Sequence, residues 1–208
     1  MRPFLSKILT YFRYLHERGY SYDGKDFLLQ ALELCSRVQP AADTEALLSD
    51  IHYTLGAIAN ETNDGPACLR HNLVLFDMRK KAASVSGKPD VRLAAAHSQL
   101  GVAYTMTGKI AMATELFAQS VGMFRSLDNF MVDMMAFPMA NYGLGLWLQD
   151  QLDEAEQVFI TALTEREQEY GKMDKVSYKS VGNPQSLEVK LTVHQQNRAH
   201  SSRVGKHI

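Results

Sequence analysis

The chain has 208 residues, 46 % of them apolar and 22 % charged, with a formal net charge of −1. That length suffices for a large hydrophobic core, and the composition is that of a soluble globular protein rather than a membrane-embedded one. The charge is uneven: residues 172–208 hold seven Lys/Arg against two acids, so a mildly acidic body carries a basic tail.

The predicted elements come as pairs of helices. The first pair, about residues 4–37, is marked faintly by Leu15, Gly19, Gly24, Leu28 and Ala31. The second, about 43–84, carries Leu55-Gly56-x-x-Ala59, and Cys68 opens its second half. The third, about 90–126, is the clearest, with Leu100-Gly101-x-x-Tyr104 followed by Gly108, Ala113 and Phe117. Here Asp90 is predicted to cap a helix running to about Thr107. Gly108 ends it, because glycine adopts the left-handed conformation at little cost. The partner helix, Lys109 to about Arg125, places Ile110, Ala113, Leu116, Phe117, Ser120, Val121 and Phe124 on one face. The fourth pair, about 132–170, has Tyr142-Gly143-x-x-Leu146 and a second helix from Leu152 to about Tyr170. That helix turns Leu152, Ala155, Val158, Phe159, Ala162 and Leu163 inward. Pro138 falls about two turns inside the first helix of this pair, where it is expected to kink the helix or delay its start. Residues 172–208 show no sustained apolar periodicity and read as a largely disordered tail.

Gly24, Cys68, Ala113 and Ala155 lie 44, 45 and 42 residues apart, the self-similarity of a repeat array. Gly56, Gly101 and Gly143 sit inside predicted helices, where glycine costs about 1 kcal/mol relative to alanine. Small residues opposing them, Ala113 and Ala155, predict a close helix–helix approach, with Tyr104, Phe117 and Phe159 closing the gap above and below. This pattern resembles the tetratricopeptide repeat, a helix–turn–helix unit with a Leu-Gly-x-x-Tyr motif, a turn glycine and an alanine on its second helix. The period looks like that of the lengthened variant found in kinesin light chains and in arrays attached to STAND-type regulatory NTPases. The extra length is expected at Ser84–Pro89 and Leu127–Met131. The resemblance implies an all-α, right-handed superhelical solenoid of about four helix–turn–helix units over residues 1–171, followed by the basic tail. Such arrays need a polar capping helix at each end, and neither end supplies one. The chain therefore reads as a piece of a longer array or as a variant with an altered C-terminus, with self-association through uncapped ends as a further expectation.

Catalytic signatures are missing: there is no phosphate-binding glycine loop, Gly-x-Ser-x-Gly, His-Glu-x-x-His, paired Cys-x-x-Cys or acidic calcium loop. His52 and His97 share a register and read as packing residues with one satisfied nitrogen, while His194, His200 and His207 are too far apart for a preorganised site. Cys35 and Cys68 read as buried thiols of a reducing compartment. No enzyme activity, catalytic residue, metal or cofactor is expected. Met131–Leu148 reads as a buried helix rather than a membrane span, and with no secretory leader the expected location is cytoplasmic.

What the resemblance implies is binding. The first helix of each unit would line a concave groove that holds a protein or peptide ligand, extended or helical. Carried over by register, the groove residues are Tyr53, Thr54 and Asn60, beside Asp50, Ala57 and Glu61. Next come Ser98, Gln99 and Thr105, beside Ala95, Val102 and Met106. The last set is Asn141, Leu144 and Trp147, beside Phe137, Ala140 and Leu148. Thr54, Gln99 and Asn141 would form a polar ladder, with Asn141 in the place of an asparagine that holds a peptide backbone in kinesin-light-chain-like repeats. No cation stands at Tyr53, Ala57, Ser98, Val102, Ala140 or Leu144, which argues against the chaperone-type partners that present a terminal carboxylate. The fourth unit, with Phe137, Leu144, Trp147, Leu148 and four nearby methionines (Met131, Met134, Met135 and Met139), reads equally as an adaptable pocket or as packing surface for a further unit. Cations in the tail are dispersed, so no nucleic-acid partner is expected. Two other readings remain open at this point: the sensor arm of a STAND-type NTPase, and a truncated product without function of its own.

Overall fold

The computed structural model describes residues 21–37, 42–88, 90–127 and 132–170. Among these there are seven helices and no strand: α1 (Ser21–Ser36), α2 (Ala42–Glu61), α3 (Gly65–Ser86), α4 (Val91–Met106), α5 (Ile110–Arg125), α6 (Val132–Leu148) and α7 (Leu152–Tyr170). The first helix of the predicted first unit and the tail at 172–208 lie outside the described residues. The chain divides into two compact units, Met1–Asp128 and Asn129–Ile208. Helices α1–α5 belong to the former, α6 and α7 to the latter.

Within the first unit α1 packs on α2, α2 on α3, α3 on α4 and α4 on α5. Leu28, Ala31 and Cys35 of α1 close over Ile51, Leu55 and Ile58 of α2. Ala59, Ala67, Cys68 and Ala103 join α2, α3 and α4 in a second cluster. In the other unit α6 packs along α7.

The three helix pairs α2/α3, α4/α5 and α6/α7 turn in the same way. In each, an N–H reaches back five residues to a carbonyl near the end of the first helix: Asp64 to Ala59 (2.8 Å), Lys109 to Tyr104 (2.9 Å) and Gln151 to Leu146 (3.0 Å). The residue before each donor has a positive φ: Asn63 at 55°, Gly108 at 75° and Asp150 at 64°. Only Gly108 was legible as a turn signal. Asparagine and aspartate tolerate the left-handed region better than other side chains, so they serve at the same register. Asp90 caps α4 as expected, its carboxylate accepting the Leu93 N–H at 2.9 Å. Asp64 does the same for α3, accepting from Ala67 at 3.1 Å.

Several expectations need correction. Atoms standing over the helix glycines are not those of the opposing alanines but of the residue one turn further on. A Cβ on Gly101 would lie 2.6 Å from Phe117 Cε1, and one on Gly143 would lie 2.7 Å from Phe159 Cε1. The glycine thus makes room for an aromatic ring, while Ala113 and Ala155 are buried beside it. Ser84–Ser86 is not a link, because α3 runs through it to a left-handed Gly87 at φ 71°. Pro138 does not delay α6, which starts at Val132 and continues past the proline. The bond that the Met134 carbonyl would otherwise accept is not made there. On α5 the predicted face is buried at Ala113, Phe117, Ser120, Val121 and Phe124. On α7 the inward face differs from expectation: Leu163 is exposed and Arg166 is buried.

Candidate functional site

The histidines come first, because His52 and His71 are titratable side chains buried in the α2/α3 pair. His97 Nδ1 donates to the Leu93 carbonyl at 2.9 Å, and its ring meets Phe76 edge-on at 4.8 Å. A carbonyl can only accept, so this ring carries its proton on Nδ1. His52 does something the sequence reading missed. Its Nδ1 lies 3.1 Å from Nδ1 of His71, one helix away on α3, and both rings are buried. Burial pushes the His52 pKa down. His71 falls to about 4, by burial first and then by repulsion from His52, Arg70 and Lys25. Beside them Asn72 occupies the register that Phe117 and Phe159 hold in the other pairs. A Cβ on Gly56 would lie 2.8 Å from its Nδ2, which donates to the Cys68 carbonyl at 2.9 Å. Nothing but the period of the repeat could have singled out Asn72.

Cys35 and Cys68 are free and buried, and burial raises both thiols above their ordinary pKa, so neither is activated as a nucleophile. Among the described residues no three His, Cys, Asp or Glu side chains gather in a way that could hold a metal ion.

The predicted groove residues are placed unevenly. On α2, Tyr53, Asn60, Asp50 and Glu61 are exposed and Thr54 and Ala57 half-buried. Asp50 is engaged by Arg79 of α3 at 3.5 Å. Thr54 turns its hydroxyl back onto the Asp50 carbonyl (2.9 Å), and Thr105 does likewise onto Gly101 (3.1 Å). Both hydroxyls are therefore committed to their own helices. On α4, Gln99, Val102, Thr105, Met106 and Ala95 are half-buried, whereas Ser98 is 4 % exposed and its hydroxyl has no hydrogen-bond partner. On α6, Asn141 and Ala140 are half-buried, and the Asn141 Nδ2 is buried without a hydrogen-bond partner. Around Asn141 the helix exposes Met134, Phe137, Leu144, Trp147 and Leu148, with Phe137 at 48 % and Trp147 at 44 %. Met134, Phe137, Asn141, Leu144 and Leu148 alternate three and four residues apart, so they form one stripe along the helix. No charged side chain interrupts it.

No helix among the described residues is long and apolar enough to cross a membrane. No protein-family model matches the chain, and no curated protein matches it. Solved structures do. BtubC (BKLC) from P. vanneervenii is 16 % identical, with a TM-score of 0.65 over 95 % of this chain and 80 % of that one. A putative kinesin light chain from Podosopora anserina with nearly identical TPR-like repeats is 12 % identical, with a TM-score of 0.66 over 96 % of each chain. At such identity the likeness concerns the fold alone: this chain has an all-α helical-repeat fold like that of the TPR-like repeats in those structures.

Proposed function

We propose that this chain is a scaffold without catalysis of its own, which holds a partner peptide or helix against the first helices of its repeats. The observation that carries the reading is the uncharged stripe on α6, in which apolar side chains are exposed around the one amide at Asn141. An exposed row of this kind is costly unless something covers it. The unpaired amide suits a partner that brings backbone carbonyls or other acceptors, which gives affinity with little demand on sequence. The other unit has a contact face of its own, to which Tyr53 and Asn60 on α2 and Gln99 on α4 belong. The raised pKa values of the two buried thiols speak against cysteine nucleophilicity and so suit a binding role. Free, buried cysteines suit a reducing cytoplasm, where the partner would be met.

The test is photo-crosslinking in native cells from a photoreactive residue at Leu144, in the wild type and in an Asn141→Ala variant of unchanged helicity and melting. A discrete partner captured by the wild type and lost from the variant supports the reading. Equal capture by both, or capture of general chaperones alone, overturns it.

A further inference from the structure

The buried histidines of the α2/α3 pair have no part in the binding reading, and their geometry has a consequence of its own. Nδ1 faces Nδ1 at 3.1 Å, with ring centroids 5.3 Å apart and planes tilted by 45°. At that distance one nitrogen must donate and the other accept. A neutral pair satisfies this with one ring protonated on Nδ1 and the other on Nε2. A singly protonated pair also satisfies it, because the imidazolium still donates to its neutral neighbour. A doubly protonated pair cannot, since two N–H groups would point at each other inside the core. The charged groups facing the pair from the packed elements are Lys25 on α1, Arg70 on α3 and Asp64 in the α2–α3 turn. Asp64 is already shared: it caps α3 and lies 3.8 Å from Lys25. The two cations therefore oppose any further positive charge there, and the one acid is largely committed.

We propose that the His52–His71 contact is an acid-sensitive latch between α2 and α3, closed while at most one proton beyond the neutral pair is held and forced open when both rings are cationic. Opening frees the face by which α3 holds α2, the helix that presents Tyr53 and Asn60. The low His71 pKa, about 4, agrees with this direction. Opening lets both rings titrate near their ordinary value, so the open state takes up at least one proton more than the closed one. The opening equilibrium should then rise by at least about tenfold per pH unit on going below pH ~6.

The experiment is hydrogen exchange of α2 and α3 amides in the full chain between pH 7.5 and 4, corrected for intrinsic exchange, with α6/α7 as the internal comparison. It is accompanied by an imidazole nitrogen NMR titration. Wild type should show the tenfold slope in α2 and α3 and a shallower one in α6/α7. His71→Gln, which keeps a neutral donor and acceptor facing His52, should lose that slope. A variant slope equal to the wild type's, or equal slopes in the two helix pairs, would overturn the latch. So would two imidazoles that titrate independently near pH 6.5 in the folded wild type, a result that decides the matter even if the variant fails to fold.

Discussion

The α2/α3 and α4/α5 pairs are the same unit by register, yet they close over different atoms. In α4/α5, Gly101 leaves room for Phe117, a ring that is 2 % exposed and walled in. At the matching place in α2/α3, Gly56 faces the amide of Asn72, and two histidines stand where α4/α5 has no such pair. The backbone solution is held constant while the filling changes from apolar to polar. The aromatic filling contributes transfer free energy and packing and is indifferent to pH. The polar filling contributes directional bonds among groups that include two titratable rings, so the same fold acquires a pH dependence in the α2/α3 pair.

Phe117→Ala is the most severe way to break the comparison. It should cost about 3–5 kcal/mol, the usual loss for emptying a buried aromatic site, read from urea unfolding. A loss below ~1 kcal/mol would mean that the ring is not what closes α4 on α5. Acid comes next. A folded-state pKa depressed below the unfolded 6.5 contributes stability that is full above 6.5 and is lost as pH falls towards the folded value, here about 4 for His71. Over that window the loss should reach about 3 kcal/mol, because each pH unit between the unfolded and folded values is worth roughly 1.4 kcal/mol. It should appear as a falling Tm that His71→Gln flattens. Gly101→Ala should follow, at about 1–3 kcal/mol, because the overpacking against Phe117 exceeds the ~1 kcal/mol that alanine adds to the helix. Gly56→Ala should cost less than Gly101→Ala, since the Asn72 amide ends a rotatable side chain and a ring does not. The reverse order would show that the Asn72 bond to Cys68 is the stiffer element. The smallest effect is Asn72→Ala, about 1 kcal/mol for a buried neutral hydrogen bond, measured by the same unfolding curves.

Much of the fold was readable from spacing alone. The ends of α4, α5 and α7 fell within a residue or two of expectation, because Asp90, Gly108 and the three-to-four apolar rows act locally. The α3 end was misjudged because Ser84–Pro89 looks like a linker in composition, whereas the helix persists to the left-handed Gly87. Turns at Asn63 and Asp150 were hidden because asparagine and aspartate tolerate the left-handed region but are not confined to it, so neither marks a turn by itself as Gly108 does. As for the candidate site, the first-helix residues were named by register, but which of them face outward was not legible. Ser98 and Trp147 occupy adjacent sets, yet Ser98 is buried and Trp147 is 44 % exposed.

What the sequence by itself determined was the repeat: its period, its helix pairs and the positions of its small residues. The helices follow from contacts a few residues apart along the chain, and the period from comparing one copy with the next. Tertiary structure alone decided what stands over each glycine, that His52 meets His71, and that the Asn141 amide lies buried without a partner. The physical reason is range. Helix periodicity is written in neighbours three and four residues away, but a packed contact such as His52 with His71 joins residues on two helices, and its distance is set by how those helices approach.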